Sequence, residues 1–396
     1  PNPQPPMLRS LVGSEMCIRD SLINTVFWGG IAHAGVIFAV IWQITDAKWG
    51  RAFKRLAEAC AGFLPISFLM FMVVFFGSHV LYEWTHTPFL HHGEAVKQGW
   101  LNLPFFISRN VFWLLLIYGI SYWFIKTSIK PDIALARRLI GSEWGGKFAD
   151  WVLEDYGEHE TEVIRLEKLS RKIAPVLALI YAIGGSFLAW DFVMTLDQTW
   201  FSTLFGVFVM IGNMHAFLGL MLIVAVTVRK KFGIEEYISI NRLHDLAKMT
   251  FAFSLLWTYM GYSQYIVIWY ADLPEETPYL IIRSMNAPWN TLFLVIILWV
   301  FVSVFIGLLP RTLCRIPNYI RLMGIWVMLG QLLSVYIMVV PSLQHDGHYH
   351  IFMGLHELLI TLGFVGAFFL CYLAFLGKLP ILPISDKHLC RTWHGH

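Results

Sequence analysis

Nine stretches of this chain are apolar over at least the roughly 20 residues that a helix needs to cross a bilayer. They are 22–44, 59–84, 103–125, 174–196, 199–227, 246–270, 287–309, 317–341 and 350–377. No other feature limits the fold so tightly. Lipid offers nothing to backbone N–H and C=O groups, so each stretch is expected to be a helix. The fold class is therefore all-α and polytopic, with nine visible transmembrane helices. Composition agrees, with 57% hydrophobic and only 14% charged residues, where soluble domains carry about 25%. A net charge of +3, without any basic tract interleaved with aromatics, excludes nucleic acid as a partner.

Five cysteines, at 17, 60, 314, 371 and 390, show no paired spacing. Without C-x-x-C or C-x-x-C-H, the chain is expected to hold no iron–sulphur cluster, structural zinc or covalent haem of its own, and no metal.

Basic residues fix an orientation. Lys48, Arg51, Lys54 and Arg55 lie between the first two stretches, Arg229, Lys230, Lys231 and Arg242 between the fifth and sixth, and Arg311 and Arg315 between the seventh and eighth. The segment 127–173 and the tail 378–396 are basic as well, whereas the alternate loops carry little beyond Lys97 and Arg283. The positive-inside rule makes the basic set, including the C-terminus, cytoplasmic. The domain limits read 22–126 and 174–377 for the membrane helices, with 127–173 a cytoplasmic insert whose run "EDYGEHETEVIRLEKLSRK" reads as a short amphipathic helix. Residues 1–21 contain "LVGSEMCIRDS", which resembles a translated adapter, and are set aside as a non-native or solvent-facing leader. A tenth helix ahead of residue 22 would restore a cytoplasmic N-terminus.

Ionisable groups inside a span are costly and usually face protein or water. Given the alternating topology, they concentrate in the external half. His79 and Glu83 are four apart near the outer end of the second stretch and are expected to share a face. Arg109, Asp191, Asp197, His356 and Glu357 lie at similar depth, and His33, His215 and Gln331 nearer the middle. One reading is a proton route with Glu83, Asp191 and Glu357 as carriers and Arg109 as their counter-charge; the other is helix-end ion pairs and interhelical hydrogen bonds. Carriers in the cytoplasmic half are sparse, His244 and Lys248 being the entry candidates. His33 and His215 match in depth as haem ligands would, but neither stretch carries a second spaced histidine. The clusters His91-His92 and "QHDGHYH" at 344–350 read as external loops, solvated or in contact with a partner.

The stretch "HDLAKMTFAFSLLWTYMGYSQYIVIWYADLPEET", 244–277, needs its own account. Asp245 is expected to cap the helix and to meet Lys248 one turn on. Trp269 and Tyr270 sit at interfacial depth. Trp257, Tyr259, Tyr262 and Tyr265 lie deeper and are expected to pack between helices. Pro274 ends the helix, leaving Glu275 and Glu276 outside, solvated or facing a basic partner. Tyr262, Ser263 and Gln264 offer the apolar-aromatic wall with a few polar groups that a quinone pocket requires.

That stretch, together with "WDFVMTLDQTWFSTLFG" (190–206) and "GWLNLPFFISR" (99–109), resembles the NrfD-like, polysulphide-reductase-type membrane subunits, and most of all the ActF-type subunit of alternative complex III. The resemblance spans roughly residues 22 to 380. It implies ten helices around two four-helix bundles, in the bacterial cytoplasmic membrane. It also implies a subunit of a quinol:cytochrome c or quinol:high-potential iron–sulphur protein oxidoreductase. The implied partners are a related ActC-type subunit, an iron–sulphur protein, multihaem cytochrome c, small membrane subunits and a terminal oxidase. Haems and clusters would reside in those partners, and quinol, menaquinol or another, would meet the complex from the lipid. The chain itself would be structural or proton-conducting. Asp191, Asp197, His244, Asp245, Ser263, Gln264, Glu275 and Glu276 lie in the matching motifs.

Two other classes compete. The chain could bind quinol directly, with His79, Glu83, Asp191 or His356 taking its protons. It could be a secondary transporter, which an internal repeat would favour; none is evident.

Overall fold

The computed structural model describes residues 6–86, 90–91, 94–95, 98–344, 351 and 354–386, with side chains described from residue 16 and not for 90–91 or 94–95. The long helices are α1 (Pro6–Thr45), α2 (Arg51–Phe76), α3 (Leu103–Ile140), α5 (His159–Phe192), α6 (Phe205–Lys231), α7 (Ile240–Ala271), α9 (Trp289–Leu308), α10 (Pro317–Val339) and α11 (Leu355–Leu376), with short helices α4 (Gly146–Leu153) and α8 (Thr277–Ser284) between them. Among the described residues, strand structure is limited to the two-residue antiparallel pair Leu90–His91 and Glu94–Ala95. Among the described residues, eight helices are long and apolar enough to cross a membrane. The exception among the long ones is α7, whose Tyr, Trp, Ser and Gln content lowers its mean hydropathy although it runs unbroken for 32 residues.

The helices fall into two groups by packing. In the first, α1 lies against α2 and α5, and α3 against α5; in the second, α6 lies against α7 and α10, and α9 joins α7 and α10. The two groups meet where α1 and α5 pack on α6, and α11 closes the outer side of α1 and α2. Burial follows this plan. Of the most apolar window of α1, 89% is buried, and of α6, 72%, against 17% for α11, so α1 and α6 form the shared centre. The close approach of α6 to α10 relies on glycine, as membrane packing does in general. A Cβ on Gly219 of α6 would sit 2.9 Å from the Gly324 carbonyl of α10.

Several expected boundaries shift. The helix through residue 22 is continuous with the segment before it, so the limit drawn at residues 21 and 22 coincides with no break. The second span is not one helix to residue 84. It contains a 3-10 segment at Ala59–Phe63 and stops at Gly77, followed by a single turn, Ser78–Leu81. The amphipathic run after residue 153 is not a separate helix; it is the first half of α5, which carries Pro175 in its interior without ending. Likewise α3 continues past residue 126 to Ile140, so the region between the two is a short loop holding α4.

Caps explain two further ends. Asn102 Oδ1 accepts from Phe105 N at 3.0 Å to start α3. Ser239, not Asp245, caps α7, with Arg242 N donating to Ser239 Oγ at 3.4 Å. That helix ends on Asp272 in the left-handed region (φ 48°), two residues ahead of Pro274. Buried Arg283 staples α8 to the end of α10, donating to the Ile337 and Met338 carbonyls at 3.0 Å each and to Ser342 Oγ at 2.6 Å. It thereby satisfies carbonyls that have no intrahelical partner.

Candidate functional site, a buried polar line through the first helix group

Polar side chains inside the first group gather at three depths along α3. At the end away from the basic loops, Asp191 of α5 is fully buried. Arg109 grips it with two parallel bonds, Nε and Nη2 each donating to one carboxylate oxygen at 2.7 Å, and Asn110 Nδ2 adds a third at 2.8 Å. The guanidinium lies against two aromatics, 3.9 Å from the Trp100 ring and 4.7 Å from Phe105. Such a bidentate, stacked arrangement suits arginine and not lysine.

Half-way along, His33 of α1 is buried with its ring 4.8 Å from Tyr118 and 5.8 Å from Tyr181. The Tyr118 hydroxyl meets Ser67 Oγ at 2.9 Å. His33 Nε2 has no hydrogen-bond partner. Beside it lies a cavity of about 50 Å³ bordered by Gly29, Gly30, Asn213 and Ala189. One water needs roughly 10–15 Å³ measured this way, so a few waters fit. Gly30 creates part of the space for Asn213, whose amide would lie 2.3 Å from a Cβ there.

At the basic end, Arg55 and Glu58 of α2 and Asp132 of α3 are all buried to 2% or less. Arg55 Nε donates to Asp132 Oδ2 at 2.7 Å, and its Nη1 bonds Glu58 Oε2. Ser128 Oγ donates to Glu58 Oε1 at 2.6 Å, and Ser385 N to Asp132 Oδ1 at 2.8 Å. The sequence reading missed this cluster. Arg55 was assigned to a loop, Glu58 precedes the expected span by one residue, and Asp132 falls in the supposed insert. The available signal was Arg55 and Glu58 one turn apart against an apolar run. Buried ionisable side chains are therefore not confined to the Asp191 end.

Arg109 and Asp132 lie about 35 Å apart along α3 at 1.5 Å per residue, which exceeds the roughly 30 Å hydrocarbon thickness. The three stations are therefore spread over a length of α3 comparable with the thickness of the hydrocarbon core.

The remaining candidates are placed elsewhere. Glu83 follows the break after Leu81, with Tyr82 extended between them, so His79 and Glu83 share no helix face, and both are exposed. His356 is exposed. Glu357 is half-buried at the start of α11, where its Oε2 accepts from Gly354 N at 2.8 Å and its Oε1 from Arg19 at 3.1 Å. Arg19 also binds Asp20 at 2.9 Å, inside the segment set aside as a leader. Asp197 Oδ1 accepts from Thr199 N (3.1 Å) and Trp200 N (3.3 Å), which organises a turn. Lys248 and Asp245 do pair, at 2.7 Å, but are more than a third exposed, beside His244 on the surface of α7. Of the proposed quinone contacts, Tyr262 is 59% exposed and Ser263 bonds its own helix at Tyr259 O. Gln264 is buried and accepts from Ser202 Oγ at 3.1 Å. The expectation of core packing fails for Tyr259 and Tyr262, which face outward with Trp269 and Tyr270; Trp257 alone is buried, stacked on Phe208 at 5.3 Å. Glu275 is exposed and Glu276 half-buried.

In the second group, Gln331 Nε2 donates to His215 Nδ1 at 2.8 Å, and His215 Nε2 has no partner. Among the described residues no three of His, Cys, Asp and Glu converge as metal ligands, and Cys17, Cys60, Cys314 and Cys371 are free thiols. Apart from the backbones of His91 and Gln344, the histidine clusters at 91–92 and 344–350 lie outside the described residues, as do Lys97 and Cys390.

An aromatic pocket of about 320 Å³ opens beside the Asp191 station. It is walled by Trp100, Phe187, Trp190, Trp200 and Phe201, with Asp197 and Ser202 at its edge. The indole N–H groups of Trp190 and Trp200 have no acceptor. No protein-family model matches the chain, and no curated protein matches it.

Proposed function

We propose that this chain is an integral membrane subunit of a quinol-oxidising electron-transfer complex. In this reading it is NrfD-like and ActF-type, partner subunits carry the electrons, and its first helix group conducts protons. The observation that carries the reading is the polar line itself. Burying Asp191, Glu58, Asp132 and their arginines costs several kcal/mol per ion before pairing, and membrane-buried ionisable groups of this sort characteristically line ion or proton routes. His33 places an imidazole, which can accept and donate a proton, between the two charged stations. Stations about 13 and 21 Å apart along α3 exceed direct transfer, so ordered water links them, starting from the cavity at His33.

The positive-inside rule supports a cytoplasmic basic end and C-terminus. At about 48 Å, α7 is long enough to make a ninth crossing, and its outward aromatic face suits contact with a related membrane subunit. Reconstitution tests the reading. Liposomes containing the chain should dissipate an imposed pH gradient faster than empty ones, and His33→Leu or Glu58→Gln should slow this about tenfold while the far-ultraviolet spectrum stays unchanged. Equal leak with and without protein would overturn it.

A specific observation favours a second role, direct quinone binding, at the aromatic pocket and not at Tyr262–Gln264. Its aromatic walls and nearly apolar lining suit stacking of a quinone ring. Quenching of tryptophan fluorescence by a short-chain menaquinone should saturate. Replacing Trp190 and Trp200 by Ala should weaken it by about tenfold, as loss of the stacking walls predicts.

A further inference from the structure

A second cavity, of about 180 Å³, lies at the basic end between α1, α2, α5 and the segment after α11, with Arg55 on its wall. At roughly 10–15 Å³ for one water, it holds several. Its mouth meets solvent, since Asp46 and Glu167 on its walls each expose 53% of their side chains. The charges on its walls are engaged with one exception. Arg51 pairs with Asp386 and Asp46 at 2.5 Å each, Arg55 with Glu58 and Asp132, and Glu167 with Arg171 at 2.8 Å. Among the described residues lining the cavity, Lys54 alone is charged without an ion pair. It is half-buried, and its Nζ meets only the neutral Gln43 Oε1, at 3.3 Å.

Lys54 stands one helical turn before Glu58, whose side chain is fully buried in the Arg55 station. Residues four apart share a helix face and lie within side-chain reach. Lys54 is thus placed between water in the cavity and a buried carboxylate of the station. The residue type matters as well. A direct ion pair holds both partners in their charged forms, and Lys54 has none. Lysine can give up its proton once withdrawn from water, and its four-carbon stem is flexible; arginine holds its proton throughout.

We propose that Lys54 is the proton-exchange group of the basic end, loading Glu58 from the cavity. The inference rests on the proton-route reading. Nζ turns from Gln43 to Glu58, an N–H bond breaks, and an O–H bond forms on the carboxylate. The neutral amine then takes a replacement proton from water at the cavity mouth.

Liposomes holding the full chain under an imposed pH gradient test it. The wild type should dissipate the gradient faster than empty liposomes. Lys54→Arg, which keeps the charge and cannot release a proton, should slow the protein-dependent rate about tenfold, and Lys54→Cys should do the same. Alkylating Lys54→Cys with 2-bromoethylamine rebuilds a lysine-like amine and should restore the rate, which a misfolded variant would not allow. Methanethiosulfonate-ethyltrimethylammonium restores only a fixed charge and should not; wild type treated alike is the control. Full flux in Lys54→Arg, or equal restoration by the two reagents, would overturn the inference and leave the proton route standing. A wild type no faster than empty liposomes would overturn both.

Discussion

The two helix groups are built to one plan and filled differently. Each buries a histidine at mid-depth whose Nε2 lacks a partner, His33 in the first and His215 in the second. Around His33 the first group buries Arg55, Glu58, Asp132, Arg109 and Asp191. Among the described residues, the four long helices of the second group bury no Asp, Glu, Lys or Arg; they use Gln331, Ser254 and Thr250 instead. Ser254 Oγ donates to the Val300 carbonyl at 2.9 Å, inside the π-helical turn Ile297–Ser303 of α9. Neutral polar groups suffice to hold membrane helices together, typically at about 0.6–2 kcal/mol each. The charges of the first group therefore exceed what packing requires, and this contrast is what the proposed proton route rests on.

The strongest break of this comparison is at Asp191. Asp191→Ala leaves Arg109 buried with no carboxylate, and should cost about 3–5 kcal/mol in denaturant unfolding in detergent. The pair change Arg109→Met with Asp191→Leu should cost less than either single change; if it costs more, the pair is needed for stability beyond its charges. Next, Gln331→Leu in the second group should cost about 1–3 kcal/mol, because it leaves His215 without its donor, with no change in proton flux. His33→Leu should reverse that pattern, slowing proton flux about tenfold, equivalent to 1.4 kcal/mol of barrier, while His215→Leu leaves flux unchanged. Equal effects of the two histidine changes would erase the distinction between the halves. Smallest of all, Lys248→Ala should shift stability by about 1 kcal/mol or less, since its exposed pair with Asp245 is screened by solvent.

Legibility divides along physical lines. Apolar length is a property of the chain itself, so the spans could be read directly, to within a few residues at most ends. Three carboxylates matched Arg109 in depth, but which of them it grips could not be read, because only the packing of α3 on α5 brings Asp191 to 2.7 Å. Arg55, Glu58 and Asp132 lie at the margins of apolar runs, where charged residues are ordinarily solvated, so their burial was invisible. The outward aromatics of α7 carried a signal that went unread. Tyr259, Tyr262, Ile266, Trp269 and Tyr270 recur at intervals of three or four and form one exposed face. The break at Gly77 was hidden because the apolar run continues through it.

The placement of α11 carries a consequence for how the protein is made. Tyr372 bonds the Leu56 carbonyl at 2.9 Å, Asn24 bonds Thr361 at 3.2 Å, and Ser385 reaches Asp132. Helices made early in this sequence are thus completed only by α11 and the residues after it. Until α11 enters the bilayer, Leu56 lacks its Tyr372 donor and Asp132 its Ser385 donors, beside the buried Arg55 and Glu58. Truncation ahead of α11 removes more than a peripheral helix, because it leaves the charged interior of the opposite end of the chain without its cover.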